Sequence, residues 1–262
     1  MEKTGERINP ELIDTKEEYI LYLRHLFAYY FVKKEILKGS LVLEVGFGEG
    51  YGTSLLAKSG FDIIGLDVNE ETIKEASQKY QTQNCHFVWY DGKKIPFEAE
   101  TFDVVVSFQV IEHLQDDVGF ISEISRVLKK DGKFFLTTPN RLYRLKPNEK
   151  PRNPFHVREY SPRDFQELLN KVFTEAKVFG IRGTEEVQNI EIKRVKKPLT
   201  IKLDPLNLRR FLPSSFRKNI RKFLSSQEKE NIDYIKRYNL NDFYVIEDHL
   251  EESLDLLGIC KK

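Results

Sequence analysis

One short stretch near the start of the chain constrains the fold more than any other. Residues 41–45 read Leu-Val-Leu-Glu-Val, a mostly apolar run typical of a parallel strand that is covered on both faces. Gly46, Gly48 and Gly50 follow, and such a turn has no side chains to keep a ligand away from its backbone. A helix predicted over about 53–59 points its free N–H groups at the same ligand. The stretch therefore predicts a strand, a ligand-binding turn and a helix.

The spacing of these glycines distinguishes two kinds of nucleotide site. A dinucleotide fold requires G-x-G-x-x-G, whereas this turn is G-x-G-x-G with Tyr51 in place of the third dinucleotide glycine. Glu44 lies shortly before the turn, and Asp67 ends the next apolar run, about 20 residues further on. That separation suits a carboxylate that binds a ribose. A nucleoside is favoured over a dinucleotide, and a dehydrogenase is the weakest interpretation.

The pattern E-x-G-x-G-x-G followed by Asp67 resembles the class I S-adenosylmethionine-dependent methyltransferases. Further motifs resemble the same family and follow in its order: a third strand that leads into Asp91-Gly92, the turn Ile95-Pro96-Phe97, a fourth strand over Thr101–Phe108, and Ile111-Glu112-His113-Leu114. The resemblance implies that S-adenosylmethionine is the cofactor.

The resemblance also implies a role for individual residues. Glu44 and the Gly46 backbone would hold the methionyl amine, directly or through water, and Asp67 would hold the ribose. Asp91 and Gly92 would contact the adenine. The complete set of expected cofactor-binding residues is Glu44, Gly46, Gly48, Gly50, Asp67, Val68, Asp91, Gly92, Ser107 and Phe108, the last two through their backbone.

Between residues 41 and 138 the predicted strands and helices alternate, which indicates an α/β, doubly wound, mostly parallel sheet. With the resemblance, we expect seven strands in a Rossmann-like methyltransferase fold and one domain over 1–262, divided into a cap (1–40), the core sheet (41–183), a basic helical insertion (184–240) and a final strand region (241–262). Strands are predicted near 41–45, 62–67, 85–90, 102–107, 133–138, 176–181 and 254–260, and helices near 53–59, 69–81, 116–129 and 162–171.

Two segments lie outside the minimal sheet. A helix predicted from Thr15 to about Lys38 either packs on the sheet or, together with Gly5-Glu6-Arg7, closes over the cofactor as a lid, with Arg7, Tyr19 and His25 as polar candidates. Residues 193–224 carry eleven Lys and Arg against one acid and are interleaved with apolar residues. We favour a solvated cap for this basic stretch over a surface that binds an anionic membrane or a phosphorylated, lipid-linked glycan.

Composition narrows the function classes further. The formal net charge is +1, so no overall field marks a nucleic-acid partner. Cys85 and Cys260 are the two cysteines and lack C-x-x-C spacing, so we expect reduced core residues and no zinc or disulfide framework. The N-terminus lacks the apolar run of a signal peptide, and no window approaches 18 uninterrupted apolar residues, which predicts a cytoplasmic protein.

The chemistry expected of a methyl donor requires alignment and, for a hydroxyl acceptor, a base; it requires no metal in principle. His113 is the first candidate base and His156 the second. The alternative for His113 is that it caps a helix, and for His156 the favoured interpretation is a residue that packs in or anchors its loop. The segments 138–141 (T-P-N-R) and 153–160 (N-P-F-H-V-R-E-Y) resemble bacterial methyltransferases of surface-glycan and O-antigen biosynthesis.

The favoured prediction is therefore an O-methyltransferase acting on a sugar hydroxyl or phosphate of a surface polysaccharide or its lipid-linked precursor. The alternatives are an O-methyltransferase of a small aromatic or quinone-type metabolite, and a cofactor-binding domain without catalysis. A nucleobase or protein-amide methyltransferase is disfavoured. Members of those groups carry the motif [DNS]-P-P-[YFW] after the fourth strand, whereas this chain has Ser-Phe-Gln-Val at 107–110.

Overall fold

The computed structural model describes residues 8–13, 15–196 and 234–262 of the chain. Within these ranges one mixed sheet is formed by eight strands. Their bounds are β1 Leu41–Val45, β2 Asp62–Asp67, β3 Cys85–Trp89, β4 Phe102–Phe108, β5 Leu128–Pro139, β6 Glu175–Gly183, β7 Phe243–Ile246 and β8 Asp255–Lys261. The order across the sheet is β3-β2-β1-β4-β5-β8-β6-β7.

The first five strands form the parallel half of the sheet. β1 pairs in parallel with β2 on one side and with β4 on the other, β3 pairs with β2, and β5 pairs with β4. The chain therefore winds outward in both directions from β1 and β4, which confirms the doubly wound prediction. In such a sheet a ligand binds beyond the carboxyl ends of the strands where the order reverses.

The other three strands form the antiparallel half of the sheet, and one of them was not predicted. β8 lies antiparallel between β5 and β6, as expected for a last strand that re-enters the sheet. β7 then adds an eighth strand, antiparallel to residues 180–183 of β6, so the prediction of seven strands was wrong. A four-residue strand at an edge needs only one partner, and its short apolar run gave no separate signal of pairing.

β5 also begins earlier than predicted. Leu128 already pairs with Phe102 of β4, and a register shift between Phe102 and Val104 accommodates the extra residues. The interruption includes Asp131, whose φ of 62° lies in the left-handed region. Residues 128–132, which precede the strand predicted from 133, are therefore part of an irregular strand.

Helices cover both faces of the sheet. They are α1 Lys16–Glu35, α2 Tyr51–Lys58, α3 Glu70–Tyr80, α4 Asp117–Val127, α5 Arg141–Arg144, α6 Pro162–Leu169, α7 Glu185–Lys196 and α8 Tyr234–Arg237. Thr15 and Ser161 cap α1 and α6 through capping boxes, so both helices begin where the sequence places them. No helix in the described ranges combines the length and the apolar character needed to cross a bilayer.

Alternate residues of β1 pack on opposite faces. Leu43 and Val45 belong to the core under α4 and α6, whereas Val42 belongs to the core under α1 and α2, and all three are fully buried. Both cysteines are buried and free, which confirms that prediction. β1 is thus covered on both faces, as its apolar sequence predicts.

α1 packs on the sheet along its length. Tyr29 and Val32 join the core beside β1, and Leu23 joins a separate cluster against β6 and β8. The buried Arg24 guanidinium lies 2.8 Å from Glu191 and 3.1 Å from Asp255, which ties α1 to α7 and β8. The lid function of α1 remains a prediction, and its Gly5-Glu6-Arg7 part lies outside the described residues, as do positions 197–224 of the basic stretch.

Candidate active site

The glycine turn after β1 is built on three left-handed residues with φ values of 81° (Gly46), 59° (Gly48) and 76° (Gly50). A Cβ on Gly46 would lie 2.4 Å from Val110 Cγ2, and a Cβ on Gly50 would lie 3.1 Å from Ala76 Cβ. A Cβ on Gly48 would meet no described atom within 4 Å. The outer glycines are therefore required by packing and conformation, whereas Gly48 is the position that leaves backbone open toward a ligand.

Asp67 lies directly beside this turn, at the end of β2. Its Oδ2 accepts a hydrogen bond from the Gly48 N–H at 3.4 Å, and its Oδ1 accepts one from the Asn69 N–H at 3.0 Å. The structure thus brings together the open glycine and the carboxylate predicted to bind a ribose. The ribose role itself remains a prediction.

Val68 and Gly92 converge at the end of β3. A Cβ on Gly92 would lie 3.1 Å from Val68 Cγ1. The Trp89 indole N–H donates to the Val68 carbonyl at 3.1 Å, and both of these side chains are exposed, at 48% and 40%. An apolar surface therefore lies where the resemblance places an adenine. Trp89 was missed at the sequence level, and its only signal was an aromatic residue beside the strand end.

Asp91, the other predicted adenine contact, is held by its own turn. Its Oδ1 accepts from the backbone N–H groups of Lys93 and Lys94 at 2.9 and 3.1 Å. These two bonds lower the pKa of Asp91, so the carboxylate is ionised at neutral pH. The structure places it at the expected strand end as an oriented acceptor.

Ser107 and Phe108 turn their side chains into the core. Ser107 Oγ donates to the Val45 carbonyl at 2.9 Å, and the Phe108 ring packs edge-on against Tyr29 with 4.8 Å between centroids. Their backbone ends β4 beside the glycine turn. A contribution of these two residues to cofactor binding through their backbone remains a prediction.

Glu44 is buried beneath the glycine turn with 1% of its surface exposed. Its two carboxylate oxygens accept hydrogen bonds from the Tyr29 hydroxyl at 2.5 Å and from the Thr53 hydroxyl at 2.6 Å. Burial raises the pKa of Glu44 to about 7, and the nearby Asp67 carboxylate adds to this, although the two hydroxyl donors counteract it. The sequence analysis did not identify either hydroxyl, because neither position belongs to the glycine motif.

A second group of polar residues begins where β4 ends. Gln109 adopts a φ of 58°, and its N–H donates to the Thr137 carbonyl at 3.0 Å, which turns the chain away from the sheet. Val110 then contacts Gly46, as described above. A 3-10 helix of one turn, Ile111–His113, follows. This 3-10 turn therefore lies beside the glycine turn at the same edge of the sheet.

The two candidate bases lie together at this turn. The imidazole rings of His113 and His156 pack edge-on with 4.8 Å between centroids. His113 Nδ1 lies 3.0 Å from the Phe155 carbonyl oxygen, and His156 Nδ1 lies 2.9 Å from Glu159 Oε1. Both partners are acceptors, so in the neutral imidazoles each Nδ1 carries the proton and each Nε2 carries the lone pair.

The loop that carries His156 is fastened to the turn by backbone and ionic contacts. The Val157 N–H donates to the Glu112 carbonyl at 2.8 Å, and the Tyr160 hydroxyl donates to Asp117 at 2.9 Å. Arg158 forms an ion pair with the same Asp117 carboxylate. These contacts explain how residues so far apart in sequence share one site.

Three buried charged residues complete this group, and sequence reasoning gave none of them a role. Glu112 and Glu159 are 0% and 5% exposed, and Arg144 is 9% exposed with its Nε 3.6 Å from Glu159 Oε1. The spacing of His156 and Glu159 is the only local signal, because residues three apart in a loop turn can meet. Arg144 lies on α5 and carries no such signal.

Residues 43–136 match the family model described as a methyltransferase domain. Over this segment the chain carries a methyltransferase domain. The open Gly48 backbone, the Asp67 carboxylate beside it and the apolar Val68–Gly92 surface fit that cofactor. S-adenosylmethionine is the cofactor of the domain.

Relatives of the methyltransferase domain include a probable S-adenosylmethionine-dependent methyltransferase of Mycolicibacterium smegmatis, 39% identical over 166 residues that make up 63% of this chain and 62% of the relative. A ubiquinone biosynthesis O-methyltransferase of Coxiella burnetii is 31% identical over 117 residues, 44% of this chain and 50% of the relative. The match thus spans less than two thirds of each relative's length.

Among solved structures, the YcgJ protein of Bacillus subtilis superposes with a TM-score of 0.54 over 91% of this chain and 99% of its own, at 20% sequence identity. At that identity the likeness shows the fold, which is the Rossmann-like α/β methyltransferase fold.

Proposed function

We propose that the protein is an O-methyltransferase that transfers the methyl group of S-adenosylmethionine to a hydroxyl oxygen. The observation that carries this proposal is the pair His113 and His156, which lies at the end of β4 beside the glycine turn with both Nδ1 atoms held by acceptors. A hydroxyl must lose its proton as it accepts a methyl group, and an imidazole Nε2 held in this way is suited to receive that proton.

Bound S-adenosylmethionine supplies a methyl group on a sulfonium, which is already a strong electrophile. The chain contributes binding and alignment: the open backbone at Gly48 and the Asp67 carboxylate would hold the nucleoside at the strand ends where the histidines also lie. The loop 153–160, which is fastened to the 3-10 turn after β4, would narrow access for water. A Nε2 atom of the pair receives the acceptor proton.

The acceptor we propose first is a sugar hydroxyl of a surface polysaccharide or of its lipid-linked precursor. Its support is the resemblance carried by 138–141 and 153–160. The two segments lie against each other in the structure, with the Arg141 N–H donating to the Tyr160 carbonyl at 2.9 Å. A phosphate oxygen of the same glycan is a weaker choice, because it needs no base.

A phenolic hydroxyl of a quinone precursor is the second candidate. The Coxiella burnetii relative, named a ubiquinone biosynthesis O-methyltransferase, favours it. A phenol is more acidic than a sugar hydroxyl, so its methylation would depend less on the histidine pair.

A panel of acceptors tests the proposal. The purified chain is incubated with trideuteromethyl-labelled S-adenosylmethionine and with nucleotide sugars, lipid-linked oligosaccharides, or catechols, and the products are examined by mass spectrometry. Label on a hydroxyl oxygen supports the proposal. Label on nitrogen or carbon, or tight cofactor binding with no product from any acceptor, overturns it, and the latter outcome favours a binding domain without catalysis.

We also propose a cytoplasmic location in which residues 193–224 form a solvated cap, with association at an anionic membrane surface as the alternative. The support for the association is the excess of basic over acidic residues there. If the segment associates in this way, sedimentation with anionic liposomes should fall when Arg217, Lys218, Arg221 and Lys222 are changed to Glu, and unchanged sedimentation would contradict the association.

A further inference from the structure

The side chains of Glu112, His113 and His156 meet in a manner that a proton acceptor alone does not require. Each offers one ligand atom, a carboxylate oxygen or a ring nitrogen, and these three atoms lie within 4.8 Å of one another. In the described ranges they form the one such group of His, Cys, Asp and Glu. Two of the residues follow β4, and the third comes from the loop 153–160.

The orientation of both imidazoles is set by acceptors outside the group. The Phe155 carbonyl receives the Nδ1–H of His113, and the Glu159 carboxylate receives the Nδ1–H of His156. Proteins hold metal-binding histidines in this way, with a carbonyl or carboxylate on one ring nitrogen so that the other is presented to the ion. In His113 and His156 the nitrogen that would bind an ion is therefore Nε2.

The carboxylate of Glu112 is oriented as well. Thr138 Oγ1 donates to Glu112 Oε2 at 3.1 Å, and Glu112 itself is fully buried. A ligating carboxylate in a protein usually has such a hydrogen bond. All three side chains therefore have a neighbour that fixes their direction.

The charges around the group also favour a cation. Glu112 and Glu159 supply two buried negative charges, and Arg144 beside Glu159 supplies one positive charge. The Arg158–Asp117 pair next to them is neutral overall. With neutral imidazoles the buried set carries one net negative charge, so a dication that also binds a deprotonated oxygen would bring the sum to zero.

We propose that Glu112, His113 and His156 bind one divalent transition-metal ion of the zinc class. Two imidazoles and a carboxylate, without a thiolate, are a ligand set for Zn²⁺, Co²⁺ or Mn²⁺ rather than for Mg²⁺ or Ca²⁺, which prefer oxygen ligands alone. Metal bonds of about 2.1 Å would place tetrahedral ligand atoms about 3.4 Å apart. His113 is only half-buried, so its ring has room to move closer.

The use of this ion in catalysis rests on the proposed function. The fourth position would accept the acceptor hydroxyl, and the ion would lower the pKa of that hydroxyl. The acceptor oxygen would release its proton to water and form a bond to the methyl carbon, while the carbon–sulfur bond breaks and its electron pair stays on sulfur. In the metal-bound form the two histidines hold the ion, and the ion then acidifies the acceptor hydroxyl in place of the imidazole base of the metal-free form.

Direct metal binding tests the inference without any acceptor. The chain, freed of any affinity tag, is stripped with chelator and titrated with Co²⁺ and Zn²⁺, and bound metal is measured by mass spectrometry and by the visible spectrum of Co²⁺. We expect about one ion per chain and the intense visible bands of tetrahedral Co²⁺. Wild-type protein that binds neither ion at micromolar concentration overturns the inference, whether or not any variant folds.

Variants then assign the ligands. His113→Ala and His156→Ala should each weaken Co²⁺ binding by at least about 100-fold, and Glu159→Gln, which only supports His156, should weaken it by about ten- to hundredfold. His86→Ala, an exposed histidine on β3, is the matched control and should bind as wild type. Binding that is lost equally in His86→Ala, or kept in both ligand variants, would also overturn the assignment. Metal binding without hydroxyl methylation would instead refute the proposed function alone.

Discussion

The two halves of the crevice are constructed in different ways. At the ends of β1, β2 and β3 the site is mostly backbone: a left-handed glycine turn with an open position at Gly48, and carboxylates of Asp67 and Asp91 that accept from N–H groups close to them in space. At the ends of β4 and β5 the site is mostly buried side chains, brought together across the 3-10 turn Ile111–His113 and the loop 153–160. The first half suits a fixed cofactor, and the second can vary with the acceptor.

Two buried glutamates show the difference most clearly. Glu44, on the cofactor side, has two neutral hydroxyl donors, Tyr29 and Thr53. Glu112, on the acceptor side, lies with two imidazoles in a group that also contains the Glu159 carboxylate. Glu44, with neutral donors only, exists as a mixture of its charged and neutral forms near pH 7. Glu112, beside two imidazoles, is placed to share protons or a metal ion with them.

Removal of a histidine tests most directly whether the two halves of the crevice act independently. His113→Ala and His156→Ala should each reduce turnover by about 10²- to 10⁴-fold, because each removes a group that receives the acceptor proton or holds the ion that acidifies it. Affinity for S-adenosylmethionine, measured by calorimetry, should stay within about twofold, since neither histidine belongs to the cofactor half.

His86→Ala is the control for this experiment and should keep full turnover. If cofactor affinity falls in parallel with turnover in the two site variants, the halves are not independent and the comparison fails. Full turnover in both variants would mean that no histidine handles the proton.

The same division decides what could be predicted from the sequence. The cofactor half depends on residues close together in the chain, so the glycine spacing and Asp67 could be interpreted directly, and their proximity in the structure follows from β1 and β2 being neighbours. The pairing of His113 with His156 depends on how a long loop folds back, which no local pattern encodes. The eighth strand was missed for a similar reason, since β7 has only an edge to pair with.

A pH series on Glu44→Gln sharpens the description of the cofactor half. The pKa of Glu44 in the folded chain is about 7, above its usual 4.5, so the folded state binds a proton more tightly than the unfolded state does. The contribution of protonated Glu44 to the free energy of unfolding is therefore fully present below the pKa that Glu44 has in the unfolded chain. This contribution is lost as the pH rises through about 7. The loss amounts to about 3 kcal/mol.

Because glutamine does not titrate, the free energy of unfolding of wild type minus that of Glu44→Gln should fall by about 3 kcal/mol between about pH 4 and pH 8. Chemical denaturation at several pH values measures this difference, in which the other titrating groups cancel. A flat difference would mean that folding leaves the pKa of Glu44 unchanged, and a difference that rises with pH would show that Glu44 is stabilised as an anion.

Gly48→Ala tests whether the open backbone of the turn serves the cofactor. The new methyl group would enter the space that no described atom fills, so affinity for S-adenosylmethionine should fall by at least about tenfold, or about 1.4 kcal/mol. Stability should also fall by about 1 to 2 kcal/mol because of the left-handed φ. Gly60→Ala, at a φ of 93° and equally open, is the matched control and should lose stability without losing cofactor affinity.

The smallest expected effect is that of Tyr29→Phe, and it asks whether a hydroxyl of α1 sets the proton balance of Glu44. The phenol donates to Glu44 Oε1 and lowers the pKa of that carboxyl, so its removal should raise the pKa further above 7. Tyr29→Phe should lower the free energy of unfolding by about 1 kcal/mol. The decrease should be larger above pH 7, where the Glu44 carboxylate is ionised and loses a donor, than near pH 5, where the carboxyl group is protonated. Denaturation at these two pH values measures the contrast. An equal cost at both would mean that Tyr29 stabilises the fold through its ring, packed against Gly52 and Phe108, and that Thr53 alone orients the carboxylate.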